Sequence, residues 1–224
     1  MQEQFENTSA AGFDLLETMR VSAGGTISLL SRHLERLRGS ARYFGFACDP
    51  DEIQRAVSAE AARQREPAML RLLLSRHGIH ELQVKPLPTA ARAPVISSPL
   101  TVDSANPFLY HKTTARQIYE QARAGLAERM DVILVNERGE ATETTIANIA
   151  VLRNDHWVTP PISCGLLPGT MRAHLLAERQ LVEGIIRLDE LLPGETIRCF
   201  NAVRGVYEVS FNDTRAHRGI HHAK

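Results

Sequence analysis

Lys112 is the residue whose type and position most directly suggest chemistry. It lies in the stretch 108–116, which follows Pro107 and precedes apolar residues at helical spacing. We predict that Thr113 or Thr114 caps this helix, and that partial burial near the positive helix end destabilises the ammonium form of the lysine. A neutral amine near neutral pH is what a Schiff-base lysine needs. Taken alone, however, the stretch favours a surface lysine whose aliphatic stem lies on apolar neighbours.

A second pair of polar residues lies in the strongest helical pattern of the chain. Apolar residues recur at helical spacing from Leu30 to Phe44, and Gly45 ends the pattern. His33 and Arg36 are three residues apart, so they are neighbours beside the apolar face of this helix. A boundary histidine with a solvated arginine and a functional pair are equally compatible with the pattern.

Before this helix, residues 13–21 and 26–29 predict two strands of a hairpin around a pair of glycines. Glu17, Thr18 and Arg20 are polar residues within the first strand. Because side chains alternate between the faces of a strand, we expect at least one of them to face solvent.

Two further features concern a carboxylate and a helix start. Glu143 lies in the β-branched stretch 141–152, where its carboxylate either faces solvent or is held by a cation or proton donor; the pattern alone favours solvent. Gly169 precedes a predicted helix at residues 170–179. Backbone amides at a helix start suit a phosphate, although one glycine also describes a simple loop.

The composition is that of an ordinary soluble protein. The chain has 224 residues, with 43% hydrophobic and 23% charged residues, and its 26 lysines and arginines balance 26 aspartates and glutamates. This balance favours neither nucleic acid nor membrane as a partner, and leaves local pockets for small anions. Three widely spaced cysteines predict neither a disulfide framework nor a metal site. The polar N-terminus does not resemble a signal peptide, so we expect a cytoplasmic protein.

Five motifs in a fixed order change how these features are interpreted. They are residues 33–40, Lys112, Thr142-Glu143 with Asn148 five residues after the glutamate, residues 167–172, and Asn201-Ala202. Together they resemble the class IV aminotransferases, which are pyridoxal-phosphate enzymes of fold type IV and include 4-amino-4-deoxychorismate lyase. The resemblance extends from about Phe13 to Phe211.

The resemblance implies an α/β fold of two domains with the cofactor between them. A small N-terminal α/β domain would span residues 1–92, an interdomain linker residues 93–107, and a larger, β-rich pseudo-barrel domain with the cofactor lysine residues 108–224. A proline-rich change in composition after residue 85 supports a boundary in this region.

The resemblance also implies roles for the residues of the motifs. Lys112 would form the Schiff base with pyridoxal phosphate and then act as the proton-transfer base. Glu143 would pair with the pyridine nitrogen, and Arg36 would bind the phosphate. The further cofactor contacts implied are Asn148, Gly169, Thr170, Met171, Asn201 and Ala202. No metal is expected.

Within the family, the chain most resembles 4-amino-4-deoxychorismate lyases. Stretches 13–20 and 112–116 and the Asn201-Ala-Val segment carry this likeness, whereas an N-terminal strand with a Gly-Asp-Gly segment, usual in the family, is missing. The implied reaction yields 4-aminobenzoate, a folate precursor, and pyruvate. The substrate has two carboxylates, for which the candidate partners are Arg20, Arg116 and Arg204; each is also compatible with an ordinary surface position.

Two alternatives remain open. The first is a transaminase acting on branched-chain or D-amino acids. The second is a non-catalytic member that binds only the cofactor or a partner, although the presence of Lys112, Glu143 and Arg36 together argues against it. The resemblance also implies a homodimer, and an aminodeoxychorismate synthase is a possible partner protein.

Overall fold

The computed structural model describes residues 12–88, 94–128 and 130–213, which fall into two compact units. The N-terminal unit contains residues 12–88 together with His111–Arg116. The C-terminal unit contains residues 94–110 and 117–213, apart from residue 129. Both units combine helices with strands, which confirms the predicted α/β class.

The sheet of the N-terminal unit is antiparallel and three-stranded, in the order β1-β2-β3. Its strands are β1 (Leu15–Val21), β2 (Ala68–Leu74) and β3 (His80–Pro86). The predicted hairpin is therefore wrong, since β1 pairs with β2 and residues 26–29 form no strand. The reason is that β2 alternates buried and half-buried residues over its whole length and offers an apolar partner face, which the short segment 26–29 cannot.

Two helices pack on this sheet. Helix α1 (Leu30–Phe44) ends where Gly45 adopts a left-handed conformation with φ of 69°, as the glycine predicts. Helix α2 (Pro50–Ala62) begins at Asp49, whose side chain accepts hydrogen bonds from two first-turn amides. The buried core between helices and sheet is formed mainly by Leu15, Met19, Leu37, Ala41, Ile53, Val57, Leu70, Leu72 and Leu74.

The Lys112 segment belongs to the N-terminal unit, not to the C-terminal domain as the predicted boundaries would have it. The Leu16 amide donates to the Lys112 carbonyl at 2.9 Å, and the Thr114 amide donates to the Asp14 carbonyl at 2.9 Å. These backbone bonds add the segment to the edge of β1, with a bridge between Leu15 and Thr113. Backbone pairing with a distant strand thus decides which unit holds the lysine.

The C-terminal unit is built on an eight-stranded sheet whose main order is β11-β10-β7-β6-β5-β4, with β8 paired to β7 and β9. The strands are β4 (Val95–Val102), β5 (Asp131–Asn136), β6 (Ala141–Thr144), β7 (Asn148–Arg153), β8 (His156–Thr159), β9 (Val182–Glu183), β10 (Thr196–Asn201) and β11 (Gly205–Ser210). Strand β4 pairs in parallel with β5, so much of the predicted linker 93–107 is sheet; residue 93 lies outside the described residues.

Two helices accompany this sheet, α3 (Gln117–Arg123) and α4 (Thr170–Ala177). Helix α4 packs near Ala150 and Phe200, which are fully buried in the adjacent strands β7 and β10. All four residues of β6 are buried, so this strand has no solvent face. Within the described residues, no helix is both long and apolar enough to span a membrane.

Candidate functional site

In the N-terminal unit, a buried carboxylate joins β1 to helix α1. Glu17 lies on the inward face of β1 and is only 2% exposed. His33 Nδ1 lies 2.6 Å from Glu17 Oε2. Arg36 approaches the same carboxylate as a fork, with Nε donating to Oε1 at 2.8 Å and one Nη donating to Oε2 at 2.7 Å. His33 and Arg36, which are three residues apart on the helix, therefore contact the same carboxylate. The His33 side chain is buried, with 1% exposure.

The balance of burial and charge keeps Glu17 ionised. Burial by itself raises the pKa of the carboxyl, but the guanidinium of Arg36, followed by His33, outweighs it and lowers the pKa of Glu17 to about 2. The two-pronged bond fixes the plane of the guanidinium as well as its distance. Arg36 is thus held in one orientation on helix α1.

The residue before the lysine is also tied to α1. Ser40 Oγ lies 2.9 Å from His111 Nδ1. The imidazole packs against the rings of Tyr43 and Phe44, with centroids at 4.4 and 4.8 Å. Burial lowers the pKa of His111, which favours the neutral ring. With β1 bonded on one side and His111 packed on the other, the backbone at Lys112 is fixed from two directions.

Lys112 itself is half-buried in an irregular segment. Helix α3 begins at Gln117, so neither threonine after the lysine caps it; the Thr114 hydroxyl instead accepts from the Asp14 amide at 2.9 Å. The expected influence of the helix end on the lysine stays a prediction, and the partial burial of the lysine is confirmed.

In the C-terminal unit, Glu143 is a buried carboxyl group that accepts hydrogen bonds from three groups. It is 4% exposed, so the solvent-facing orientation that the strand pattern favours is wrong. Tyr119 Oη donates to Oε1 at 3.0 Å, and the Leu167 amide donates to the same oxygen at 3.1 Å. Asn148 Nδ2 donates to Oε2 at 3.1 Å. These three donors fix the orientation of the carboxylate.

Asn148 connects this carboxylate to the loop before α4. Its amide also donates to the Leu167 carbonyl at 2.9 Å. A Cβ added at Gly169 would lie 2.0 Å from Asn148 Oδ1, a distance that no side chain can occupy. Gly169 has φ of −64° and ψ of 139°, so the glycine is required by this close approach and not by its backbone conformation.

Helix α4 begins directly after that glycine. No side chain caps the helix at Gly169, and the first turn of a helix carries backbone amides of the kind that bind phosphate. Thr170 is buried and Met171 is half-buried in this first turn. Arg172 is buried and donates to the carbonyl of Pro160 at 2.7 Å, which anchors the first turn to the preceding loop.

The Asn201 side chain makes structural hydrogen bonds that the sequence does not predict. Its Nδ2 donates to the Ile146 carbonyl at 3.0 Å, and its Oδ1 accepts from the Val203 and Arg204 amides at 3.0 and 2.8 Å. The side chain thus closes the turn after β10 and connects it to the loop after β6. The predicted phosphate contact at Asn201 and Ala202 stays a prediction.

The three candidate arginines for substrate lie in different surroundings. Arg20 is exposed on β1, and Arg116 is half-buried at the end of the Lys112 segment. Arg204 lines a cavity of about 170 Å³ in the C-terminal unit, together with Arg123 and Tyr207. None of the predicted cofactor residues lines that cavity. The substrate-binding roles of Arg20, Arg116 and Arg204 stay predictions.

Sequence reasoning missed two residues as site partners: Glu17 and Tyr119. The sequence did contain a signal for Glu17, because Leu15 and Met19 are each two residues away from it and therefore lie on the same face of β1. Tyr119 gave no such signal, since its partner Glu143 is 24 residues away along the chain.

Several of these features fit pyridoxal phosphate. A buried, oriented carboxylate such as Glu143 suits a cationic ring nitrogen, and the start of α4 after Gly169 suits a phosphate. In the N-terminal unit, Arg36 offers a guanidinium of fixed orientation, which by itself suits a phosphate. The donor set of the described residues is therefore compatible with this cofactor.

Comparison with known proteins gives similarity over most of the chain. The family model of class IV amino-transferases matches residues 14–210. A protein of Schizosaccharomyces pombe named "Putative aminodeoxychorismate lyase" is 34% identical over 192 residues, which are 81% of this chain and 83% of that protein.

The chain is also similar to proteins of solved structure. A "Putative amino-acid aminotransferase" from Mesorhizobium loti matches with a TM-score of 0.81 and 37% identity, covering 89% of this chain and 99% of that one. The 4-amino-4-deoxychorismate lyase from Pseudomonas aeruginosa matches with a TM-score of 0.77 at 20% identity, covering 91% of this chain and 84% of that one. The latter shares the fold that the five motifs predict.

Proposed function

Because the chain belongs to the class IV amino-transferase family of pyridoxal-phosphate enzymes, we propose that it is a pyridoxal-phosphate-dependent lyase that converts 4-amino-4-deoxychorismate into 4-aminobenzoate and pyruvate. The observation that carries this choice of reaction is the 34% identity to the Schizosaccharomyces pombe protein over 83% of that protein's length. The stretches around Lys112 and Asn201 that resemble lyases support the same choice.

The cofactor is pyridoxal phosphate, and bound to the enzyme it supplies a cationic ring that accepts electrons from the substrate carbon beside its nitrogen. Lys112 would hold the cofactor through its side-chain amine. Glu143 holds a proton at the pyridine nitrogen, and its burial strengthens this interaction because water does not screen it. By resemblance to the family, the phosphate would be bound by Arg36 and by the amides of Thr170 and Met171.

Lys112 then performs the proton transfer. Its neutral amine removes the proton from the ring carbon that bears the amino group. The electron pair of that C–H bond becomes part of the aromatic ring, and the bond to the enolpyruvyl oxygen breaks. The leaving group takes up a proton and becomes pyruvate, so atoms and charge balance without an oxidant. Formation of the aromatic ring makes the step favourable.

The direct test is formation of 4-aminobenzoate from 4-amino-4-deoxychorismate by the wild-type enzyme and by Lys112→Ala. We expect the product from the wild type and loss of most activity in the variant, since this lysine has two roles. Borohydride reduction and mass measurement should place a pyridoxyl group on Lys112. If the unreduced enzyme from a preparation that yields that adduct forms no 4-aminobenzoate, the lyase assignment is wrong and the cofactor assignment stands.

Transamination is the second candidate, because the Mesorhizobium loti protein at 37% identity is named an amino-acid aminotransferase. A transaminase would release a keto acid from branched-chain or D-amino acids in a single turnover, without 4-aminobenzoate formation. Keto acid release measured with each amino acid separates the two reactions.

We also propose that the enzyme is a homodimer in the cytoplasm that supplies 4-aminobenzoate for folate synthesis. Light scattering on the purified chain tests the dimer, and addition of an aminodeoxychorismate synthase to the same experiment tests that protein as a partner.

A further inference from the structure

We infer that Glu17, supported by His33, is a positioning residue that sets the orientation in which Arg36 binds the cofactor phosphate. This inference rests on the proposed cofactor site but not on the identity of the reaction. Glu17 itself lies on β1 behind the helix that carries Arg36, and it has no assigned role in the five motifs.

The geometry supports an orienting role more than general stabilisation. A single contact would leave the guanidinium free to turn about that contact. Glu17 instead engages Arg36 through two different nitrogens, at 2.8 and 2.7 Å, which fixes both the plane of the group and its rotation. The N–H groups that do not face Glu17 are thereby aimed in one direction.

His33 adds a second constraint on the same carboxylate. It contacts Oε2, the oxygen that also accepts from the Arg36 Nη, at 2.6 Å. Because His33 is fully buried one turn before Arg36 on α1, it fixes Glu17 relative to the helix axis. Glu17, His33 and Arg36 form a connected unit in which the position of the acid determines the position of the arginine.

The negative charge of Glu17, considered without its effect on the orientation of Arg36, would weaken phosphate binding. An anion beside Arg36 reduces the positive potential felt by a phosphate, so removing the charge of Glu17 should tighten phosphate binding if orientation did not matter. If orientation is the function of Glu17, its removal should weaken phosphate binding in spite of the gained positive potential. The sign of the effect therefore distinguishes the two possibilities.

The test compares pyridoxal phosphate with pyridoxal, which lacks the phosphate, on the full chain freed of cofactor. Binding is measured for each by visible absorbance at pH 7, and the ratio of the two affinities isolates the phosphate contribution. Each ratio is taken on one preparation, so a reduced folded fraction cancels. Inorganic phosphate is titrated as a competitor in the same assay.

We expect Glu17→Gln to lower the preference for pyridoxal phosphate over pyridoxal by about tenfold, in line with other residues that orient a ligand-binding group. Glu17→Asp keeps the charge, and should restore part of the preference. The matched control is Glu35→Gln, which removes the same charge from an exposed position beside Arg36 on α1; it should leave the ratio unchanged.

Three results would overturn the inference. Equal loss of affinity for both ligands in Glu17→Gln would show a structural role only, and a rise in the ratio would show that the charge of Glu17 merely opposes the phosphate. A wild-type protein without preference for the phosphate form would remove the role of Arg36 itself. By contrast, absence of 4-aminobenzoate with the expected ratios refutes the proposed reaction and leaves this inference intact.

Discussion

Gly169→Ala should damage the cofactor site through one contact. The backbone at this position has φ of −64° and ψ of 139°, which alanine adopts without strain. The new Cβ, however, would lie 2.0 Å from Asn148 Oδ1 and 3.2 Å from its Cγ. The amide of Asn148 must therefore move, although it is buried and held by two hydrogen bonds.

The cost follows from those two bonds. The bond from Asn148 to the Glu143 carboxylate, at 3.1 Å, is charge-assisted, and the bond to the Leu167 carbonyl, at 2.9 Å, is neutral. A bond to a charged group contributes about 1.5–3 kcal/mol and a neutral one about 0.5–1.5 kcal/mol, so we expect a loss of about 3 kcal/mol in the free energy of unfolding. Affinity for pyridoxal phosphate should fall as well, since Glu143 loses a donor.

Urea unfolding followed by the fluorescence of Trp157 measures this loss locally, because β8 with Trp157 pairs with β7, where Asn148 lies. Gly39→Ala is the matched control. Nothing lies within 4 Å of a Cβ at this helical glycine, so the change should stabilise the protein by about 1 kcal/mol.

A double-mutant cycle then tests the cause. If the clash with Asn148 is responsible, Gly169→Ala should cost little in an Asn148→Ala background, where the clashing atoms are absent. An equal cost of Gly169→Ala in both backgrounds would refute the reasoning, and would move the cause to the start of helix α4.

Three further predictions concern single contacts. The pKa of Glu17 is lowered from 4.5 to about 2, so ionised Glu17 stabilises the folded protein by about 3 kcal/mol above pH 4.5, and this contribution is lost as the pH falls toward 2. The free energy of unfolding, measured by urea titration, should therefore depend less on pH over this range in Glu17→Gln than in the wild type or in Glu35→Gln. Tyr119→Phe removes a donor to Glu143 and should lower the free energy of unfolding, measured with urea, by about 2 kcal/mol. It should also weaken the binding of pyridoxal phosphate, and unchanged cofactor affinity would contradict a role for this hydroxyl at the site. Asn201→Ala removes the three hydrogen bonds of its side chain and should cost about 2 kcal/mol; its turn should then exchange amide hydrogens faster, and unaltered exchange would argue against the turn-closing role.

Local structure was the part of the fold best predicted from sequence. Helix α1 lies where its apolar spacing predicts a helix and ends before the predicted glycine, because both are local signals that tertiary packing supports. The predicted hairpin before it failed because strand pairing is a choice between partners, and β2 lies almost fifty residues further along the chain.

Burial of the two carboxylates illustrates a limit of pattern reasoning. The alternation in a strand divides its residues into two faces, but it does not say whether the second face is covered. Glu143 was assigned to solvent by pattern, yet β6 is buried on both faces between neighbouring elements. Only the assembled sheet brings Tyr119, Asn148 and the Leu167 amide to this carboxylate.

The sequence by itself determined the family, because the order of five motifs along the chain is preserved whatever the packing, and it identified Lys112, Arg36 and Glu143 as candidates. The tertiary structure decided what holds them. It placed the lysine beside β1, through hydrogen bonds between residues about one hundred positions apart such as Asp14 and Thr114. The physical reason is that backbone hydrogen bonds and buried charges must find partners somewhere in the folded chain, and the distance between those partners along the sequence leaves no local pattern.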